Sequence, residues 1–210
     1  MKYNWYAIKL VIITIIVFVL QFLIPGLTDE FALVSSEFFS RPWTIITSIF
    51  LHGGVEHLLY NMLALALFGS VLEKIIGGRK FLILYFASGI VSGFGSILFY
   101  RASIGASGAI FGVMGTLAIL RPRMSVWLTY APMPMALAVV LWIIGNFVGL
   151  FAPGEVAYAA HLFGLGFGLL YGFVHRKEYG EVPVKSKKYS IGYNYLKEIF
   201  SFFLQVLHNF

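Results

Sequence analysis

Six long apolar segments constrain the fold of this chain more strongly than any other feature of its sequence. A helix crosses the hydrocarbon layer of a membrane when about 20 consecutive residues are predominantly apolar. The segments that approach or reach this length are Tyr6–Ile24, Val55–Leu72, Phe81–Phe99, Ala106–Leu120, Pro134–Phe151 and Ala157–Val174. They predict an all-α fold, a polytopic transmembrane helical bundle with six spans.

The composition excludes several classes of protein. Of the 210 residues, 60 % are hydrophobic and 11 % are charged, whereas a soluble domain usually carries about 25 % charged residues. The absence of cysteine excludes disulfides, thiolate metal sites and a cysteine nucleophile. The net charge of +6 could indicate a nucleic-acid partner. However, the basic residues stand at the ends of apolar segments, which is the pattern of membrane topology, so we expect lipid and no nucleic acid.

Lysine and arginine divide unequally between the two alternating sets of connections. Cytoplasmic loops carry the excess of basic residues. One set holds only Arg41 and Arg101, and the other holds Lys2, Lys9, Lys74, Arg79, Lys80, Arg121, Arg123, Arg176 and Lys177. Both termini are therefore predicted to be cytoplasmic. The aromatic-rich first external loop, Pro25–Gly54, is expected to lie in the membrane interface, and a prokaryotic plasma membrane is the expected location.

Two parts are expected along the chain. Residues 1–176 form the membrane domain, and residues 177–210 form a basic cytoplasmic tail. Tyr195–Leu207 in that tail is apolar but interrupted by charges, so we expect an amphipathic helix on the membrane surface rather than a seventh span.

A few polar residues interrupt the apolar segments, and each is costly there unless it is satisfied. His57 and Asn61 are four residues apart near the start of the second segment, so they share one helix face. Ser107 opens the fourth segment and His161 opens the sixth. In the predicted topology these three spans all start at the outer surface, so the polar side chains should meet at one depth.

Glycines surround the serine and the histidine. Ser107 lies between Gly105 and Gly108, and further glycines follow at 112 and 115 in the fourth segment and at 164, 168 and 172 in the sixth. Small residues at such spacings allow the backbones of two membrane helices to approach closely. The pattern predicts a short distance between Ser107 and His161.

Each of these residues, taken alone, also has an explanation that involves no catalysis. A serine in a span usually bonds its own helix, and an intramembrane histidine is more often a structural or transport residue. The conjunction of the three residue types favours a nucleophile and base pair instead. His52, His57 and His161 could supply three metal ligands, but their spacing forms no known zinc motif, so we expect no metal and no cofactor. Asp29 is the sole aspartate, so packing rather than a carboxylate should orient the imidazole.

With these residues the sequence resembles the rhomboid family of intramembrane serine proteases. The motifs that carry the resemblance are Gly105-Ala106-Ser107-Gly108, Ala160-His161 followed by Gly164 and Gly168, the trio His52, His57 and Asn61, and Gly69 with Glu73. Two positions depart from the family: Thr44 follows Trp43 where an arginine is common, and Phe111 stands where a tyrosine is common.

The resemblance implies a function and a set of roles. Ser107 would be the nucleophile and His161 its general base, while His57, Asn61 and the backbone N–H of Ser107 would stabilise the oxyanion. The residues implied to support them are His52, Glu73, Gly105, Gly108, Gly164 and Phe111. The expected enzyme is a serine endopeptidase that cuts single-span membrane proteins near the outer face, as a monomer or weak homo-oligomer. A catalytically silent relative that binds membrane clients, or a small transporter, is the alternative.

Overall fold

The structure is a computed structural model, and it describes residues 4–180 except 129, 130, 153 and 155. Within these residues the chain is predominantly helical, as the apolar segments predicted. The helices are α1 (Tyr6–Leu23), α2 (Leu27–Phe31), α3 (Thr44–Thr47), α4 (Val55–Ala64), α5 (Ser70–Ile76), α6 (Gly78–Phe99), α7 (Ser107–Leu120), α8 (Met135–Gly149) and α9 (Tyr158–Tyr179). A π-helical turn, Leu65–Gly69, joins α4 to α5, so that one helix runs through Val55–Ile76.

Each predicted span overlaps one of the longer helices, and the second, third and sixth helices extend beyond the predicted bounds. In the described part of the chain, three helices are long and apolar enough to cross a membrane: Tyr6–Leu23, Val55–Ile76 and Gly78–Phe99. The apolar helices α7 and α8 are shorter. The number of spans and the side on which the termini lie therefore stay predictions, as does the division at residue 176. The predicted surface helix Tyr195–Leu207 lies outside the described residues.

The first connecting loop is folded and contains α2, α3, β1 (Leu33–Val34) and two 3-10 turns, Ser35–Glu37 and Ser48–Phe50. Strand β1 pairs antiparallel with β2 (Ala102–Ser103), which precedes α7. The Gly105 N–H donates to the Ser48 carbonyl at 2.9 Å. The loop is thus hydrogen-bonded to the segment that positions Ser107.

An arginine holds part of this loop together. The Arg41 Nη1 donates to the carbonyls of Asp29 at 3.1 Å and Glu30 at 3.0 Å, and its guanidinium forms an ion pair with Glu37. Thr44 stands where an arginine is common in the family, but Arg41 still supplies an arginine contact within the loop. Thr44 itself is buried, and its hydroxyl donates to the Arg41 carbonyl at 2.7 Å.

A hairpin of β3 (Ser125–Leu128) and β4 (Ala131–Pro134) leads from α7 into α8. The Met135 N–H donates to the Met124 carbonyl at 2.8 Å, which ties the start of α8 to the base of the hairpin. The apolar pattern did not predict this hairpin, because its residues alternate too briefly for a strand signal.

Helices α7 and α9 touch through their backbones. A Cβ atom built on Gly164 would lie 2.1 Å from the Gly108 carbonyl oxygen, and one on Gly168 would lie 1.9 Å from that of Gly112. The Thr116 hydroxyl joins the two helices at 2.9 Å from the Gly168 carbonyl oxygen. Only glycine fits at these crossings, so the glycine spacing decides how close α7 and α9 can come.

A buried carboxylate on α5 stabilises the N-terminal end of α1. Glu73 is 1 % exposed and accepts hydrogen bonds from the backbone N–H groups of Asn4, Tyr6 and Ala7 at 3.2, 3.1 and 3.0 Å. The first N–H groups of a helix have no partner within the helix, and its N-terminus favours negative charge. Glu73 thereby caps α1 from α5.

The contact between α7 and α9 predicts a difference between two glycines of one helix. Gly164→Ala places a methyl group against backbone atoms of Gly108 that cannot rotate away, so it should lower stability by about 2 kcal/mol. Gly166→Ala is the matched control, because nothing lies within 4 Å of its Cβ position. Thermal unfolding in detergent micelles measures both, and equal midpoints would contradict this account of the crossing.

Candidate active site

Ser107 is the first residue of α7, and the backbone conformation before it is specific to glycine. Gly105 has φ +125°, a conformation that side-chain-bearing residues rarely adopt. The chain therefore turns sharply into α7, with Ser107 half-buried at the helix start. The N–H groups of a first helical turn lack intrahelical acceptors and are available to an anion.

His161 lies in the first turn of α9 and contacts Ser107 directly. Its Nε2 is 2.7 Å from the Ser107 Oγ. The Phe111 ring stacks on the imidazole with centroids 4.6 Å apart and planes 21° apart. The glycine crossings of α7 and α9 bring the two helix starts together, so the short serine–histidine distance predicted from their spacing is observed.

The other nitrogen of His161 has a partner that sequence analysis missed. Its Nδ1 is 2.8 Å from the Asn146 Oδ1, on α8. We expected packing rather than a carboxylate to orient the imidazole, and the structure shows the stacked Phe111 together with an amide. The signal for this contact was present in the sequence, because Asn146 is a polar residue inside the fifth predicted span. A polar group in a span is costly unless it has a partner.

His57 lies close to Gly105, near the Ser107 hydroxyl. A Cβ atom on Gly105 would come within 2.9 Å of the His57 Nε2 and 3.9 Å of the Ser107 Oγ. The Gly53 N–H points at the His57 Nδ1 at 3.4 Å, which favours a proton on Nε2. His57 thus presents a donor to the space beside the serine hydroxyl, and a side chain at position 105 would fill that space.

Asn61 follows His57 by one helical turn and is buried. Its Nδ2 donates to the His57 carbonyl at 2.9 Å. An amide nitrogen carries two protons, so one remains for a second acceptor. The structure brings His57, Ser107 and His161 together at one end of the bundle, with Asn61 one turn below them.

His52 is 2 % exposed and lies behind this group, its ring 4.9 Å from that of His57. Its backbone is tied to α1, because its N–H donates to the Gln21 Oε1 at 3.0 Å and its carbonyl accepts from the Gln21 Nε2 at 3.2 Å. Burial, and then the neighbouring His57 imidazole, lower the pKa of His52 to about 4. The buried His52 ring is therefore neutral at physiological pH and packs against the His57 ring.

The described residues contain no group of three histidine, aspartate or glutamate side chains that could hold a metal ion. The chemistry available at this end of the bundle is that of a hydroxyl, two imidazoles, amides and free helix N–H groups. Such a set can form and stabilise the tetrahedral intermediate of an acyl-transfer reaction.

A family model and several known proteins that match this chain all carry the same family name. A family model described as Rhomboid domain matches residues 40–178, a range that includes every site residue predicted from the sequence. The chain is 40 % identical to RHOMBOID-like protein 1 of Arabidopsis thaliana over 142 residues, 66 % of this chain and 36 % of that protein. It is 35 % identical to Rhomboid protein 1, mitochondrial, of Saccharomyces cerevisiae over 159 residues, 69 % of this chain and 45 % of that protein.

A third relative is named as a protease. The chain is 45 % identical to Rhomboid protease GluP of Bacillus subtilis over 76 residues, which are 36 % of this chain and 15 % of that protein. In all three pairs the matched stretch spans less than half the length of the relative.

The lowered pKa of His52 predicts a pH dependence of stability. Between its ordinary pKa of 6.5 and its native value of about 4, the unfolded chain binds a proton at His52 that the native state does not bind. Stability should therefore fall as the pH decreases through this window. The thermal midpoint of His52→Gln should fall less steeply over the same range than that of wild type. Parallel curves would contradict the prediction.

Proposed function

The chain belongs to the Rhomboid family of membrane proteins, and from that membership and the geometry of the polar cluster we propose that it is an intramembrane serine endopeptidase. The observation that carries the proposal is the 2.7 Å contact between the Ser107 Oγ and the His161 Nε2 at the paired starts of α7 and α9. A serine hydroxyl is a weak nucleophile unless an adjacent base takes its proton.

Each proposed step follows from this arrangement. The Ser107 Oγ attacks the carbonyl carbon of the scissile peptide while its proton passes to the His161 Nε2. The resulting oxyanion takes hydrogen bonds from the His57 Nε2–H, the Asn61 amide and the Ser107 N–H. One such donor is typically worth about 3 kcal/mol of the barrier.

The second half of the reaction returns the enzyme to its starting state. The His161 Nε2–H protonates the leaving amine as the C–N bond breaks, which leaves an acyl ester on Ser107. His161 then removes a proton from a water molecule that attacks the ester, and the released proton returns to the Ser107 Oγ.

Water reaches such a site only if it opens to one membrane surface. Helices α4, α7 and α9 all begin at the end of the bundle that holds Ser107, and the loops at the other end carry most of the basic residues. This asymmetry supports a six-span topology with cytoplasmic termini and a site open to the extracytoplasmic side. The plasma membrane of a prokaryote is the proposed location.

The substrates proposed are single-span membrane proteins. A peptide carbonyl in a transmembrane helix is hydrogen-bonded within the helix, so the segment must unwind before Ser107 can reach it. Helices with glycine or proline near their outer end should unwind most readily, because both residues are poor helix formers.

The first test is cleavage of a reporter with one labile transmembrane helix in proteoliposomes. Ser107→Ala should reduce cleavage by at least about 10³-fold, because it removes the nucleophile. Ser36→Ala, a change at an exposed serine of the first loop, is the matched control and should cleave like wild type. Equal cleavage by Ser107→Ala and wild type would refute Ser107 as the nucleophile. Co-purification of intact clients without cleavage by wild type would favour the silent relative.

The second test varies the substrate. Replacing the glycine and proline residues near the cut with leucine should slow cleavage, because the helix then stays hydrogen-bonded. The measurement compares the cleavage rates of the original and the leucine-substituted reporter in the same vesicles. Equal rates would show that unwinding is not what selects the substrate.

A further inference from the structure

Asn146 is a buried amide on an otherwise apolar helix. Helix α8 reads MALAVVLWIIGNFVG, and Asn146 is 7 % exposed while its neighbours Ile144 and Phe147 are 53 % and 58 % exposed. The outer side of α8 is apolar, and Asn146 points from its inner side to the polar cluster. A buried amide in such surroundings is costly unless its hydrogen bonds are made.

Both ends of the Asn146 amide have partners, and these determine its orientation. Its Nδ2 donates to the Trp142 carbonyl at 2.8 Å, one turn earlier in α8. A carbonyl can only accept, so the nitrogen must face Trp142 and the Oδ1 must face His161. The alternative orientation would set an oxygen against the Trp142 carbonyl oxygen.

The orientation of the amide determines the tautomer of His161. An amide oxygen only accepts, so the His161 Nδ1 at 2.8 Å must carry the proton. In a neutral imidazole the other nitrogen then has its lone pair free. That nitrogen, Nε2, is the one 2.7 Å from the Ser107 Oγ, so it can accept the hydroxyl proton.

We propose that Asn146 is the positioning residue of His161, in the place that a carboxylate occupies in a three-member triad. The inference rests on the proposed protease function. Phe111 stacks on the imidazole and restricts its plane, whereas the bond to Asn146 selects the tautomer and the rotation within that plane. A neutral amide suits an apolar site, because a buried carboxylate would need a further compensating partner.

Three helices therefore contribute to the site: α7 the serine, α9 the histidine and α8 the orienting amide. Helix α8 lies at the edge of the bundle, with an apolar outer side. The Ser107–His161 pair is complete only while α8 packs against α7 and α9. A two-residue pair would not depend on α8 in this way.

The experiment measures the activation of Ser107 separately from the docking of a substrate helix. A fluorophosphonate probe labels an activated serine and needs no unwound helix, so its labelling rate at Ser107 is the first readout. The second is cleavage of the reporter, with kcat and KM determined separately. The variants are Asn146→Ala, the similarly sized Asn146→Leu and Asn146→Asp, with Ile144→Ala on the outer side of α8 as the matched control.

Asn146→Ala and Asn146→Leu should label about 10²-fold more slowly and lose kcat to the same extent, with KM nearly unchanged, because only the base is misplaced. In its protonated form Asn146→Asp can donate its hydroxyl to the Trp142 carbonyl and keep an acceptor oxygen toward Nδ1, so it should recover most of the labelling rate. Ile144→Ala should behave like wild type. A merely structural asparagine would lower the thermal midpoint instead, and Asp would not restore the rate.

Wild-type labelling and kcat in both Asn146→Ala and Asn146→Leu would overturn the proposal and leave the protease function standing. Failure of Asn146→Asp to recover any rate, with an unchanged thermal midpoint, would also overturn it. A wild-type protein that neither labels at Ser107 nor cleaves would refute the proposed function itself. The two failures are therefore distinguishable.

Discussion

The backbones of α7 and α9 are in direct contact, and the relative position of Ser107 and His161 follows from that contact. Glycines at 108, 112, 164 and 168 remove the side chains that would hold the helices apart. Apolar side chains cannot drive this association in lipid, because lipid tails are equally apolar, so close packing and carbonyl contacts must stabilise it. The first residue of α7 and the first turn of α9 are brought into hydrogen-bonding distance as a direct consequence.

Neutral groups make up the polar cluster that results. A hydroxyl, imidazoles, amides and helix N–H groups cost less to desolvate than full charges. The buried carboxylate Glu73 sits elsewhere, against the N-terminus of α1, where three N–H groups satisfy it. The folded first loop is hydrogen-bonded to the segment before Ser107 and so helps to position the start of α7.

Much of the site was predictable, and the exceptions have physical reasons. Ser107, His57 and His161 were predictable because each is a polar residue near the start of an apolar span, where a polar side chain is costly unless it is hydrogen-bonded. Asn146 lies near the end of its span and at no recurring spacing from the others, so only the fold brings it to His161. The β3–β4 hairpin and the interior order of the first loop were also missed, because short strands and turns leave little periodicity to detect.

The class of molecule and the positions of the polar residues along the apolar segments follow from the amino-acid order alone. Hydropathy, the alternation of basic residues and the glycine spacing are properties of the chain that need no coordinates, and they implied a helical membrane bundle with a serine and a histidine at one end. Which atoms face each other is known only from the packed helices. The distance from Nε2 to Oγ, the tautomer imposed through Asn146 and the direction of the His57 donor depend on how α4, α7, α8 and α9 pack, because hydrogen bonds are effective only within a few tenths of an ångström and a narrow range of angles.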